Sequence, residues 1–156
     1  MKRIALILTI FPLTYVFASE CKTNEVLIAS CDLPGKTPRS AIFCANENFN
    51  SVQYIFARDR KPELVVNFNP KNKLKSWLDL WTYSTYLGFS KGAYSYVLVI
   101  PEERPDAVAL LEVSKDGRKK SRLRCGANSF GEKNIKSLSI EDVPDSIIIN
   151  NGFQFP

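Results

Sequence analysis

"YSTYLGFSKGAYSYVLVI", residues 83–100, decides the fold. Tyr83, Tyr86 and Phe89 precede Lys91-Gly92, and Tyr94, Tyr96, Val97, Val99 and Ile100 follow it. Aromatic and β-branched side chains suit a pleated, half-buried surface, and a short glycine-containing break between two such runs folds them back as an antiparallel hairpin. The stretch therefore predicts strands over 82–90 and 93–100.

The same rhythm extends in both directions. Upstream, "SVQYIFA" alternates Val52, Tyr54 and Phe56 against Ser51, Gln53 and Ile55, and "ELVVNF" follows the turn Asp59-Arg60-Lys61-Pro62. Strands are expected near 51–58 and 62–68, and another pair near 25–33 and 39–46 on either side of Pro34-Gly35. Downstream, Asp116-Gly117 is a strong two-residue turn between strands near 107–114 and 119–125. About eight short strands with short connections predict a mainly all-β fold, an antiparallel meander forming a small barrel or sandwich.

Two segments break the rhythm. In "PKNKLKSWLDLW", 70–81, Leu74, Trp77, Leu78 and Trp81 recur at helical spacing and predict one short helix at an end of the sheet. The tail is polar from 126 until "SIIINNGFQF", 146–155, whose apolar residues must pack on the sheet. The expected place is over the strand bearing Lys120, Arg122 and Arg124, with Ala109, Leu111 and Val113 beside the cations.

The first residues read as an address. Lys2 and Arg3 precede an apolar run, 4–17, that contains Pro12 and closes on Val16-Phe17-Ala18. This is the pattern of a cleaved export signal, and the run is shorter than the roughly 20 residues that span a bilayer. The division expected is a signal peptide over 1–18 and a single exported β domain over 19–156, periplasmic or secreted, without a stable membrane anchor. Without Lys2 and Arg3, 19 of the 21 basic residues remain against 16 acidic ones. That mild positive charge falls short of the dense basic clustering of nucleic-acid binders, so no nucleic-acid partner is expected.

An even set of four cysteines in an oxidising compartment predicts two disulfides. Of the three possible pairings the flanking strands favour Cys31 with Cys44, across Pro34-Gly35, and Cys21 with Cys125. With no C-x-x-C pair and no histidine, no metal site and no cofactor are expected. The lack of histidine also removes Ser-His and Cys-His nucleophile systems. The carboxylate pairs Glu102-Glu103 and Glu141-Asp142 lie beside Pro101 and Pro144, in segments that read as solvated loops. The chain is expected not to be an enzyme.

Recognition residues are sought in the loops. Lys71, Lys73 and Lys75 precede Trp77 and Trp81 in the longest connection between predicted strands, and long loops on rigid sheets commonly carry binding residues. Ser90 and Lys91 sit at a hairpin tip. Lys120, Arg122 and Arg124 form a second candidate surface.

"CDLPGKTPRSAIFC", then "VQYIFARDRKPEL", the strands around "SKGAYSY" and the late "RCGANSFG" together resemble small exported bacterial disulfide-bearing β proteins of uncharacterised function. The architecture is similar, more remotely, to periplasmic lysozyme inhibitors, small β-barrels that insert a loop into an active site. The resemblance implies an exported β domain held by disulfides, and no inhibitory residue is carried over from it. The function expected is a non-enzymatic binding protein, an inhibitor or immunity protein blocking a cell-wall hydrolase or a delivered toxin, with an acidic protein partner. The alternative is a β-barrel carrier of a small apolar ligand.

Overall fold

A computed structural model describes residues 21–129, 131–152 and 154–155; the expected signal peptide lies outside them. All eight expected strands are present: β1 (Glu25–Leu33), β2 (Arg39–Asn46), β3 (Val52–Arg58), β4 (Lys61–Phe68), β6 (Ser84–Lys91), β7 (Tyr94–Ile100), β8 (Leu110–Lys115) and β9 (Arg118–Arg124). Between β4 and β6 lies β5 (Leu74–Asp79), and two three-residue strands follow, β10 (Ala127–Ser129) and β11 (Ile140–Asp142). The helix α1 (Asp145–Asn150) completes the set.

The strands form two sheets rather than a closed barrel. One has the order β10-β1-β2-β3-β4 and the other β11-β5-β6-β7-β8-β9. Each is a meander of consecutive antiparallel hairpins, to which β11 adds a short parallel pairing with β5. Of the two architectures expected, the fold is the sandwich. Its inner faces meet on an aromatic stack, with Tyr54 of β3 lying 4.9 Å from both Phe43 of β2 and Phe89 of β6. Phe89 in turn stacks on Tyr96 of β7 at 5.1 Å and meets Phe68 edge-on at 5.3 Å. These rings, with Leu74, Leu87, Leu98 and Leu111, fill the space between the sheets.

Residues 70–81 are not a helix. Leu74 turns into the core while Trp77 lies on the opposite face of β5, where α1 packs. A strand covered on both sides loses its polar alternation, and here the surviving apolar positions fell by chance at helical spacing. The helix of the fold is formed by "DSIIIN" of the tail, with Ile148 as its buried residue.

The cysteines pair differently from expectation. Cys21 bonds Cys44, and Cys31 bonds Cys125. In the β1–β2 register Cys31 faces Ala41, whereas Cys44 faces Leu27. Because side chains alternate along a strand, Cys31 points into the core with Ala41 and Phe43, and Cys44 points outward. A hairpin staple between them is geometrically closed. Cys31 instead joins the two sheets, and Cys21 clips the segment before β1 onto the outer side of β2. Two disulfides fit an oxidising compartment. No helix among the described residues is long and apolar enough to cross a membrane.

The tail packs on the expected sheet but at its other edge. Trp77 donates from Nε1 to Asp145 at 2.6 Å, and Phe155 lies 6.2 Å from Trp77 and 6.1 Å from Tyr86. Ala109 and Leu111 belong to the core, with Val113 packed against it. They therefore lie on the face opposite Arg122 and Arg124.

Two local features give measurable expectations. At Gly131 φ is +33°, and an added Cβ would lie 2.3 Å from the Leu27 carbonyl oxygen and 2.9 Å from that of Ile28. Backbone cannot yield as a flexible side chain can, so Gly131→Ala is expected to cost about 2 to 3 kcal/mol in urea denaturation. Gly92→Ala, at φ +60° but in open space, should cost only about 1 kcal/mol.

The Tyr54 hydroxyl is buried without a hydrogen-bond partner among the described residues. Tyr54→Phe removes an unsatisfied polar group and is expected to raise stability by about 1 kcal/mol. Burial, reinforced by Tyr96, also holds the Tyr54 pKa well above its ordinary 10.0. The unfolded chain then loses this proton at lower pH than the folded one, so the folded state is penalised as pH rises past about 10. The advantage of Tyr54→Phe should therefore widen in melts at pH 10 to 11; an advantage that stays constant or shrinks there contradicts this account.

Candidate functional site

The turn joining β5 to β6 carries the most exposed large hydrophobic side chain among the described residues, Trp81, at 91% exposure. Around it Leu78, Leu80 and Tyr83 are also exposed. An apolar group of this kind on water is the usual mark of a recognition surface. The turn is built to hold its shape. The Asp79 carboxylate accepts the Trp81 backbone N–H at 2.9 Å and the Thr82 hydroxyl at 2.7 Å, while Tyr83 takes a positive φ of 52°. Trp81 is thus displayed on a braced hairpin, which limits the ordering cost of any contact it makes.

A cleft of about 480 Å³ adjoins the turn. Leu78, Leu80 and Thr85 form one side, and Ile135, Lys136 and Val143 contribute from the segment that bridges the two sheets. That segment is anchored by backbone and side-chain bonds: the Ser139 carbonyl accepts the Leu74 N–H at 2.9 Å, and the Ser139 hydroxyl donates to the Asn50 carbonyl at 2.5 Å. A shallower hollow of about 390 Å³ continues past Ile135 to Phe49 and Leu138.

The recognition residues expected from the sequence do not gather in one place. Trp77 is 8% exposed and structural, held by Asp145 and Tyr86. Lys71 and Lys73 lie in the turn before β5, at the end of the strand remote from Trp81, and Lys75 is exposed on the Trp77 face. Lys75 pairs with Gly88, so Lys73 lies toward the tip of the β6–β7 hairpin. There Ser90 and Ser95 share a hydroxyl hydrogen bond of 2.8 Å and Lys91 faces Tyr94. Tyr94 continues the row to Lys115 and Arg118, with the Lys115 ammonium 5.4 Å from the Tyr94 ring centre. A cationic end of the sheet results, opposite to the Trp81 end.

On β9, Lys120 occupies a bulge between Lys119 and Ser121, and Arg122 pairs with Glu112 at 3.0 Å. Arg124 is exposed. Tyr86 lies on this outer face; burial, then the charges of Asp79 and Glu112, push its pKa up, and Arg122 opposes them. Asp79 and Tyr83 were not singled out in the sequence. The signal was available in "DLWT", since an aspartate two and three residues before the groups that donate to it is the usual brace of a tight turn.

The Glu25 carboxylate lies with the sulfurs of Cys21 and Cys44 inside 4.8 Å, an arrangement that suits a metal only if the sulfurs are thiolates. They are bonded to each other, and Glu25 is engaged by the Lys22 backbone N–H at 3.0 Å. No protein-family model matches this chain, and no curated protein or solved structure matches it either.

Proposed function

We propose that this is an exported, non-enzymatic binding protein, an inhibitor or immunity protein that occludes a cell-wall hydrolase or a delivered toxin with the β5–β6 turn. The observation that carries the reading is Trp81, almost fully exposed on a hairpin braced by Asp79. Tryptophan is the residue most enriched among binding hot spots, and a protruding, pre-shaped hairpin suits insertion into an enzyme groove. The absence of histidine and the engagement of all four cysteines in disulfides support a non-catalytic role. Two sheets with a filled interior favour this reading over carriage of an apolar ligand.

Trp81→Ala is expected to leave the melting temperature unchanged, because the ring is in water. It should weaken binding to the blocked enzyme by at least about 30-fold, the scale of a hot-spot residue. The assay is turnover of peptidoglycan by a panel of cell-wall hydrolases, with wild-type protein and the variant titrated against each enzyme that the wild type slows. Equal inhibition by both proteins would remove the turn from the site, and no inhibition by the wild type would count against the hydrolase.

A further inference from the structure

We infer that the open edge of β9 is an acceptor for an extended acidic segment of a partner protein, which would join the sheet as an added strand. This inference is independent of the Trp81 reading. β9 ends the sheet order, and among the described residues no strand pairs along its outer side. Five of its seven residues, "RKKSRLR", are cations, all exposed. At the opposite side of the sheet β11 pairs along β5, and α1 packs on the Trp77 face beside it.

The backbone pattern shows what the edge offers. The Cys125 N–H donates to the Ala109 carbonyl at 3.0 Å. In an antiparallel ladder the bonded pairs alternate, so Leu123 and Ser121, opposite Leu111 and Val113, also spend their backbone groups on β8. Arg122 and Arg124 then turn their N–H and C=O outward to the open edge. Their side chains lie on the outer face, where Glu112 neutralises part of the charge through Arg122 and Lys119. Among the described residues Arg118, Lys120 and Arg124 have no ion pair.

An incoming strand places alternate side chains on one face, about 6.6 to 6.8 Å apart, and a side chain directly opposite Arg122 or Arg124 comes within about 5 Å. Carboxylates at alternate positions therefore meet successive arginines while the backbone completes the ladder, the mode by which sheet edges take up extended peptides. Cations also guard edges against pairing. That guard selects among partners: a second copy of β9 would set five cations against five, whereas an acidic strand gains from the same charges.

The test uses the intact protein and a synthetic peptide of alternating glutamate and threonine. Its controls are a peptide of the same composition with the glutamates in one block, and the alternating peptide N-methylated on the backbone amides of one edge. Binding is followed by fluorescence anisotropy at low and moderate salt, and amide hydrogen exchange locates the contact. The alternating peptide should bind at least about 10-fold more tightly than either control, and slow exchange at Arg122 and Arg124. The double variant Arg122→Gln/Arg124→Gln should lose that binding while staying folded by circular dichroism, since it gives up only the exposed Arg122–Glu112 pair and sets no like charges against each other. Equal affinity for all three peptides, or for a single-stranded oligonucleotide of similar charge, reduces the edge to plain electrostatic adhesion and overturns the proposal. So does slow exchange of these amides in the unliganded protein, accompanied by a dimer in sedimentation, which would mean a second copy occupies the edge. No measurable binding overturns it as well.

Discussion

Replacing Cys31 and Cys125 together by alanine is expected to lower the unfolding free energy by about 4 to 5 kcal/mol, the loop-entropy contribution of a bridge spanning 94 residues. The pair Cys21→Ala and Cys44→Ala, which closes a loop of 23, should cost about 3 kcal/mol. The order follows from chain statistics, and the structure sharpens it: the Cys31–Cys125 bond links the two sheets inside the core, whereas Cys21 clips only an end segment. Urea denaturation of the two double variants measures the difference. A larger loss from the Cys21–Cys44 variant than from the Cys31–Cys125 variant would contradict the assignment of the cross-sheet bond as the stronger constraint. Peptide mapping without reduction checks the connectivity itself.

The second large effect is expected at Trp77. Trp77→Ala removes a ring packed 4.6 Å from Tyr86, together with the donor to Asp145, and should cost about 3 to 5 kcal/mol. The loss is local in origin, because α1 and Phe155 both rest on this ring. The C-terminal tail of the variant should therefore become open to proteolysis before the sheets unfold. Trp77→Phe keeps a ring but gives up the bond to a carboxylate and should cost about 1.5 to 3 kcal/mol. A Trp77→Ala protein whose tail remains resistant would mean that other contacts hold α1 in place.

The contrast between the two tryptophans marks what the sequence could and could not convey. Eight strands were legible because their hairpins combine alternating side chains with turn residues, as at Lys91-Gly92 and Asp116-Gly117. β5 was not, since Leu74 and Trp77 are apolar on opposite faces and both faces are covered. β10 and β11, three residues each, are too short to show any period. Reading 70–81 as a helix placed Lys71 and Trp81 close together, at about 1.5 Å per residue. As a strand the same residues advance about 3.3 Å each and put the lysines and Trp81 at opposite ends. The disulfide pairing failed for a similar reason. Whether two cysteines in a hairpin share a face depends on register parity, and here the turn sets Cys31 opposite Ala41, three residues and so one face away from Cys44. Trp81, a recognition candidate in the sequence, is exposed in the structure, but its brace, Asp79, became visible only in three dimensions.

The two disulfides interleave, since Cys31 lies within the loop that Cys21–Cys44 closes and its partner Cys125 lies outside it, and this bears on how the molecule matures. If the chain meets an oxidant from its N-terminal side, Cys21, Cys31 and Cys44 become available for pairing before Cys125 does, and the native partner of Cys21 lies beyond Cys31. Oxidation in order of emergence would join Cys21 to Cys31, leaving Cys44 to wait for a partner that is wrong for it. Native bonding thus requires either that β1 and β2 pair early enough to turn Cys31 inward and away from its neighbours, or that a mispaired thiol be exchanged later. Thiol exchange takes seconds to hours depending on oxidant and isomerase. Recovery of the reduced, unfolded protein should accordingly quicken when a disulfide isomerase is supplied, and maturation in a cell would lean on that enzyme more than for a protein whose cysteines pair in sequence order.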